Sequence, residues 1–278
     1  MEDIMGIKIS GFYDEVSGDL KTQLELCKKL GEQYICPRKV NGKNIADYTV
    51  EEFEKDVKPM LDEYEVKFSS IGSPIGKIPL YDDEKFEAQK KKLTELVKIA
   101  QLMGCKYIRM FSFRIYGDTP ERCKQLYDEI NDPQFQLCYD ASNYIQCGVD
   151  PDKAYEMLKD ITVYYHVKDC SQYKVEVPLG VGLAPYEKIV NELVKSGYDG
   201  FMTLEPHTGK YADHKISFNV IGWALFCVTV EHINKWHKTF RLIDKAKGIG
   251  KWDKVTRETL FTWQHDALKE YIDNWINN

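Results

Sequence analysis

Short apolar runs along the chain alternate with longer segments in which apolar residues recur at helical spacing. The short runs predict strands at Ile7–Phe12, Tyr34–Pro37, Val66–Ile71, Tyr107–Phe113, Phe135–Tyr139, Val163–Val167 and Phe201–Leu204. The longer segments predict helices at Leu20–Leu30, Val50–Glu65, Asp83–Met103, Thr119–Ile130, Pro151–Leu158, Tyr186–Lys195 and a terminal helix around Phe218–Phe240. Such alternation of strand and helix is typical of a parallel sheet with helices packed outside it.

The alternation favours an α/β fold of the TIM (β/α)8-barrel type, although only seven strands are predicted and a closed barrel has eight. An open doubly wound sheet is the rival architecture. That fold would normally carry a glycine-rich phosphate-binding turn after its first strand, and the sequence at Gly11–Glu15 has no such pattern.

The last part of the chain, Lys251–Asn278, predicts an additional amphipathic helix outside the repeating unit. It carries Trp252, Trp263 and Trp275, which would be costly to leave in water. We therefore expect residues 1–245 to form the barrel domain. Residues 246–278 should form a C-terminal helical extension packed on the barrel or on a partner subunit, and a homo-oligomer remains open.

Composition narrows the cellular context. The formal net charge is −6, and the chain contains no long basic run, so a nucleic-acid-binding face is not expected. No apolar run is long enough to span a membrane, and Met1–Ser10 is not typical of a signal peptide. The 8 cysteines form no C-x-x-C pair, and several lie in apolar segments, as free thiols of a reducing compartment would. Cytoplasmic localisation is the expectation.

Polar residues with metal-ligand chemistry follow three of the predicted strands. Asp140 directly follows Phe135–Tyr139, His166 lies in the next strand, and Glu205 ends the last one. Ligands of parallel βα proteins bind at the carboxyl ends of strands, and carboxylate oxygen with imidazole nitrogen suits Mn²⁺, Co²⁺, Zn²⁺ or Mg²⁺. The three residues are therefore candidate metal ligands, and we expect Mn²⁺ ahead of the other ions.

Each candidate also has an ordinary structural explanation. Asp140 could cap a turn, and His166 could be a core histidine with satisfied hydrogen bonds. Glu205 could pair with a lysine at the strand end, and Lys168 with Asp169 could form a surface ion pair. The hypothesis of a site depends on all three candidate ligands lying at equivalent places in consecutive units.

A divalent metal could chelate the adjacent oxygens of a sugar ketol and polarise its carbonyl group. The neighbouring C–H group would become more acidic, and a nearby carboxylate could then move the proton. Glu205 is the candidate catalytic group for this transfer. The candidate substrate-binding residues, all close to the three strand ends, are Asn143, Lys168, Asp169 and His207.

Six stretches of the sequence carry a family resemblance. They are Lys8–Phe12, Ser69–Ile78, Ile115–Cys123, Gln146–Asp150, His166–Asp169 and Leu204–His207. Between about Lys8 and Phe240 the chain resembles the sugar phosphate isomerase/epimerase family of xylose isomerase-like TIM barrels, also called the AP endonuclease family 2 fold.

The resemblance implies a divalent metal held by Glu, Asp, His and Glu on strands five to eight. Asp140, His166 and Glu205 match the last three positions. In the family, the two glutamates usually share the proton transfer, one on each face of the substrate.

The chain departs from the family pattern after the predicted strand that ends at Phe113. Family members continue with a helix and a strand ending in His-Glu-Asn before the Tyr-Gly-Asp-Thr-Pro segment. Here Arg114–Gly117 follows at once, so one αβ step and its metal-binding glutamate are missing. Either the unit is truly lost, or a stretch has been omitted at this junction. A true loss predicts a distorted or incomplete barrel that opens the metal site on this side. Cys36 is a smaller departure, because family members often carry an acid there.

The favoured function is that of a metal-dependent sugar (or sugar phosphate) isomerase or epimerase. The missing step leaves Glu205 as a lone base, with water, Asp14 or Glu15 as the second group. The alternatives are another metal-assisted reaction on a polyol or glycoside, of dehydratase or lyase type, and a degenerate barrel that binds a sugar or a partner. AP-site cleavage is disfavoured, because that chemistry uses several zinc ions and many histidines, whereas this chain has 6 histidines. In addition, Asn143 stands where those nucleases tend to place a ligand.

Overall fold

The computed structural model describes residues 6–112, 117–216, 230–250 and 253–276. Its strands are β1 (Lys8–Gly11), β2 (Tyr34–Ile35), β3 (Lys39–Val40), β4 (Lys43–Asn44), β5 (Lys67–Phe68), β6 (Leu137–Tyr139), β7 (Thr162–Val167), β8 (Asp169–Cys170), β9 (Glu176–Val177) and β10 (Phe201–Leu204). Its α-helices are α1 (Leu20–Lys29), α2 (Val50–Asp56), α3 (Lys58–Glu63), α4 (Asp83–Leu102), α5 (Pro120–Ile130), α6 (Ala141–Cys147), α7 (Pro151–Leu158), α8 (Tyr186–Ser196), α9 (Gly209–Ile216), α10 (Val230–Lys247) and α11 (Arg257–Ile276).

A parallel ladder runs through most of these strands. Strands β6, β7, β10 and β1 pair side by side in that order. The backbone N–H of Cys36 donates to the carbonyl of Gly11 at 2.9 Å, which places β2 beside β1. Strand β2 pairs in parallel with β5, and Ile71 just beyond β5 forms a parallel bridge with Ile108. The seven segments in this ladder are the seven predicted from the sequence, in the order that a TIM barrel requires.

In the described residues, no strand pairing closes the ladder between the segment around Ile108 and β6. Among the described residues, no backbone hydrogen bond joins residues 107–112 to β6. Cys138 is exposed although its register partner in β7 is the buried Tyr164. The junction Phe113–Tyr116, on which continuity of the chain depends, lies outside the described residues. The prediction of a strand over Tyr107–Phe113 is wrong in extent, because within 107–112 only the bridge at Ile108 is paired.

One helical prediction needs correction, and one helix was not predicted. The segment Val50–Glu65 forms two helices, α2 and α3, because Pro59 has no N–H group to continue the hydrogen-bond ladder. Helix α6 was not predicted, and it begins directly after Asp140, whose side chain accepts from the N–H of Asn143. A helix as short as α6 shows little hydrophobic periodicity, which is why the sequence pattern did not predict it. The helix predicted around Phe218–Phe240 falls partly on residues 217–229, outside the described part, and α10 continues it from Val230.

The C-terminal helix α11 packs on the barrel. Phe261 is fully buried, with its ring centroid 4.7 Å from that of Tyr13. Gln264 accepts from the N–H of Leu179 at 2.8 Å and donates to the carbonyl of Val167 at 3.0 Å. The helix therefore shares the core of the barrel. The domain boundary at residue 245 stays a prediction, since α10 runs across it, and Trp252 lies outside the described residues.

In the part of the chain that the structure describes, no helix has the length and apolar character that crossing a membrane requires.

Candidate metal centre

The side chains of the site lie at alternate positions at the carboxyl ends of three paired strands. Alternate residues of a strand point to the same face, so each strand sends every second side chain into the barrel. In β6, β7 and β10, with the residues that follow them, these positions are Cys138 and Asp140, then Tyr164, His166 and Lys168, then Thr203, Glu205 and His207. The alternation of side-chain directions along these strands therefore places the side chains of the site inside the barrel.

Below the site, hydroxyl groups fill the interior of the barrel. The Oγ atoms of Ser10 and Ser69 lie 2.6 Å apart, and Oγ of Ser69 lies 2.8 Å from the hydroxyl of Tyr164. That hydroxyl also hydrogen-bonds to Thr203. Because these buried polar groups satisfy one another, the floor fixes the strands that carry the next layer of side chains.

Asp140, His166 and Glu205 form an inner cluster. One ligand atom of each lies within 4.8 Å of the others, and all three side chains are buried. Nδ1 of His166 lies 3.4 Å from Oε2 of Glu205. The structure thus brings together the three residues that the sequence singled out as candidate metal ligands.

The two carboxylate oxygens of Asp140 have different surroundings. Oδ1 accepts from the N–H of Asn143 at 3.2 Å, which is the capping role that was the alternative interpretation. Oδ2 is buried and has Nζ of Lys168 as its ion-pair partner at 2.9 Å. Burial raises the pKa of Asp140, and this effect outweighs the lowering by Lys168. Asp140 therefore caps helix α6 and also belongs to the inner cluster.

Lys168 lies inside the site. Its side chain is only 4% exposed, and its Nζ lies 2.9 Å from Oδ1 of Asn143 and 3.3 Å from Oε2 of Glu205. Burial would lower the pKa of Lys168, but Asp140 and Glu205 outweigh it and raise the pKa. The alternative of a surface pair with Asp169 is wrong.

Asp169 is not brought into the cluster. Its buried carboxylate accepts from the backbone N–H groups of Cys170, Gly180, Gly182 and Ala184, at 2.7 to 3.0 Å. These four bonds occupy both oxygens and hold the loop before α8. Asp169 therefore has a structural role in this loop, and its expected contact with the substrate stays a prediction.

Glu205 also belongs to an outer cluster, formed with Glu15 and His207, whose ligand atoms lie within 4.8 Å of one another. Oε1 of Glu205 lies 3.2 Å from Nη1 of Arg38, and 3.6 Å from both Nη1 of Arg109 and Nε2 of His207. Burial alone would raise the pKa of Glu205, but Lys168 and His166 hold it well below its usual range. Glu205 is therefore ionised and shared by both clusters.

The outer cluster contains groups with shifted pKa values. The backbone of His207 is left-handed, with φ of 52°, and its N–H donates to Oε2 of Glu15 at 2.7 Å. Burial raises the pKa of Glu15 to about 7, against the lowering by Arg38. Burial lowers the pKa of His207 to about 4. At neutral pH, Glu15 can therefore hold or release a proton while the ring of His207 stays neutral.

His166 has the opposite shift. Burial would lower its pKa, but Cys138 and the carboxylate of Glu205 outweigh burial and raise it to about 10. The imidazole ring lies edge-on to Phe12, at 5.1 Å between centroids. Without a metal, His166 is therefore charged and paired with Glu205.

Two arginines of the site were missed from the sequence. Arg38 and Arg109 place their guanidinium carbons 4.3 and 5.2 Å from the ring centre of Phe12. Nε of Arg109 is buried without a hydrogen-bond partner. The signal was available, because each lies two residues beyond another inward position, Cys36 and Tyr107.

Comparisons with known proteins fit this geometry. Residues 111–221 match the family described as "Xylose isomerase-like TIM barrel". The IOLI protein, solved with a binding zinc atom, aligns with a TM-score of 0.63 at 13% identity, over 96% of this chain and 99% of that one. The chain therefore has the xylose isomerase-like TIM-barrel fold. No curated protein sequence matches it significantly.

Two further solved structures with a similar fold are of proteins described by an enzyme activity. The D-allulose 3-epimerase from Methylomonas sp., in complex with D-allulose, has a TM-score of 0.57 at 16% identity, over 79% of this chain and 90% of that one. The probable 3-DHS dehydratase AsbF from Bacillus anthracis has a TM-score of 0.55 at 17% identity, over 71% and 92%. At these identities the likeness establishes the xylose isomerase-like fold alone.

Proposed function

We propose that this xylose isomerase-like protein is a cytoplasmic, metal-dependent sugar (or sugar phosphate) isomerase or epimerase. The observation that carries the proposal is the inner cluster, with a carboxylate, an imidazole and a second carboxylate within 4.8 Å at consecutive strand ends. A similar fold occurs in an epimerase solved with its ketose, D-allulose. A small sugar is therefore the proposed partner.

The residues of the inner cluster fit a divalent ion. Oδ2 of Asp140 is a buried carboxylate oxygen that receives no hydrogen bond and has Nζ of Lys168 as its ion-pair partner at 2.9 Å, so a metal ion could take the place of that cation. Asp140, His166 and Glu205 would hold the ion, with water completing the coordination in place of the missing glutamate. Two oxygens and one nitrogen favour Mn²⁺, with Zn²⁺, Co²⁺ or Mg²⁺ as alternatives. When bound, such an ion polarises a carbonyl group of the substrate.

Within this site, Glu205 is the proposed proton acceptor, because it is ionised and lies between the two clusters. Glu15 is the proposed second proton-transfer group. Its pKa of about 7 suits a group that gains and loses a proton at neutral pH, and its ligand atom lies within 4.8 Å of that of Glu205. Arg38 bridges the two carboxylates, with its guanidinium 3.1 Å from Glu15 and 3.2 Å from Glu205. Asn143, Lys168 and His207 would contact the hydroxyl groups of the sugar.

A dehydratase is the second candidate function. The strand-five glutamate of the family pattern is missing, and elimination of water needs only one group to take the C–H proton and return it to the leaving hydroxyl. The similar fold of a probable dehydratase is consistent with this chemistry. The two candidates differ in whether the product keeps all the oxygens of the substrate.

Solvent exchange in D₂O distinguishes these functions. Metal-loaded protein would be incubated with a panel of ketoses, ketose phosphates and inososes, and products analysed by NMR and mass spectrometry. An isomerase or epimerase should incorporate deuterium at the carbon beside the carbonyl group, and its product should not have lost a molecule of water. Loss of water would favour the dehydratase. Metal-loaded protein that exchanges no proton and releases no water would contradict both and favour a barrel that only binds.

A further inference from the structure

The oxygens that would hold a metal ion already surround a cation of the protein itself. Nζ of Lys168 lies 2.9 Å from Oδ2 of Asp140 and 3.3 Å from Oε2 of Glu205. A third oxygen, Oδ1 of Asn143, lies 2.9 Å away. Two of these three oxygens belong to residues of the inner cluster of candidate ligands.

We propose that Lys168 is an internal cation that competes with the metal for Asp140 and Glu205, and so sets the metal affinity of the site. The inference rests on the metal centre proposed above. It assigns Lys168 a role toward the metal, in addition to its expected contact with a sugar.

The two cations cannot share these oxygens without a large penalty. A metal ion bound to a carboxylate oxygen lies about 2–2.5 Å from it. The same oxygens lie within 3.3 Å of the ammonium, so ion and ammonium would be near neighbours in a buried region. Like charges repel most strongly where water cannot screen them. Metal entry therefore requires the ammonium to move away.

The structure offers a way for the ammonium to move. The amide oxygen of Asn143 is not part of the inner cluster, so this contact can persist while the two carboxylates turn to the metal. The four-carbon stem of a lysine side chain allows its ammonium to relocate without backbone movement. After relocation, the ammonium would stay with Asn143, free of its carboxylate partners, where it can attract an electronegative oxygen of the substrate.

Calorimetric titration of chelator-treated protein with Mn²⁺ tests the proposal without any activity assay. Lys168→Met removes the charge and keeps an unbranched chain. The variant should bind Mn²⁺ at least about tenfold more tightly than the wild type, because no internal cation must be displaced. A structural role alone would weaken the site instead. Lys168→Arg, which keeps a positive charge there, should show no such gain.

Lys188→Met is the matched control, because it removes one positive charge from a partly exposed lysine paired with Asp152 and Glu156, outside both clusters. It should leave the Mn²⁺ affinity unchanged. If the metal-free Lys168→Met variant does not fold, Lys168→Gln provides the same measurement, since its amide can donate to the carboxylates.

The outcomes separate this inference from the proposed function. Wild type that binds Mn²⁺, with neutral variants that bind no more tightly, would overturn the role of Lys168 and leave the metal centre standing. If neither wild type nor the neutral variants bind Mn²⁺, both the competition and the metal centre are overturned. Tighter Mn²⁺ binding by the neutral Lys168 variants, and not by Lys168→Arg or Lys188→Met, would support both the competition and the metal centre.

Discussion

At the scale of single residues, Glu205 connects two sets of charges. Its Oε2 faces Lys168 and His166, while its Oε1 faces Arg38, Arg109 and His207. A carboxylate with partners on both sides is held in a fixed position and kept ionised. That arrangement suits a group that must both bind a metal and accept a proton.

Glu205→Gln should lower any sugar-isomerising rate by at least about 10²-fold, because it removes a ligand charge and a proton acceptor together. Substrate binding should weaken less, which steady-state kinetics with the metal-loaded protein can separate. Glu187→Gln, on the exposed side of α8, is the matched control and should keep the wild-type rate. A Glu205→Gln variant with wild-type kinetics would remove Glu205 from the mechanism.

The pKa of His166 predicts how the metal-free protein responds to pH. Against burial, Cys138 and Glu205 raise this pKa from 6.5 to about 10, so the folded state holds the proton more tightly than the unfolded state. The stabilisation is fully present below pH 6.5 and is lost as the pH rises through about 10. Its size should be a few kcal/mol at most.

Urea unfolding in the presence of a chelator, at pH 6.5 and near pH 10, measures this loss. His166→Asn should show a smaller change in unfolding free energy over the same range. Equal pH dependence in the two proteins would mean that His166 is not charged in the folded, metal-free state.

At the scale of elements, strands were predicted well where apolar alternation is strong. The bounds of β10 match the prediction, and α7 spans the predicted residues. Helix α6 and the hairpins β3–β4 and β8–β9 were missed, because they are short and their positions depend on capping and loop contacts. Asp140, His166 and Glu205 were found from strand ends, whereas Arg38 and Arg109 required knowledge of which strand positions point inward.

Helix α11 should be essential for the stability of the barrel. The ring of Phe261 packs on Tyr13 and closes over Gly11, where an added Cβ would lie 2.5 Å from the ring. Phe261→Ala should therefore cost about 3–5 kcal/mol of unfolding free energy in urea denaturation. Ile276→Ala, at a position that is 60% exposed on the same helix, should change it by less than about 0.5 kcal/mol. Equal effects of the two substitutions would contradict this packing.

At the scale of the whole molecule, no strand pairing among the described residues closes the barrel between the segment around Ile108 and β6, and we call this gap in the pairing the opening. Cys138 lies close enough to His166 to raise its pKa and yet is exposed, whereas Cys36, which directly follows β2 between β1 and β5, is fully buried. The opening lies where the family pattern would place a further strand and its glutamate. The parallel segments that the described residues pair into the ladder were predictable from the sequence, but the exposure of an inward-facing thiol depends on how the neighbouring segments pack.

Alkylation of the native protein tests the opening. Cys138 should react with iodoacetamide nearly as fast as the exposed Cys147, and Cys36 should react only on unfolding. Mass spectrometry of peptides from timed reactions gives the three rates. A Cys138 as protected as Cys36 would show that the wall is closed on this side, in favour of an ordinary eight-stranded barrel with a stretch omitted at the junction Phe113–Tyr116.

The central claim is that Asp140, His166 and Glu205 hold one divalent metal without the strand-five glutamate. X-ray absorption spectroscopy of protein loaded with Mn²⁺ and dialysed, combined with metal quantification, tests it most directly. The account predicts one ion per chain, with one imidazole nitrogen and otherwise oxygen ligands at roughly 2–2.5 Å. The imidazole signal should be lost in His166→Asn. Protein that retains no metal, or an unchanged spectrum in that variant, would contradict the account.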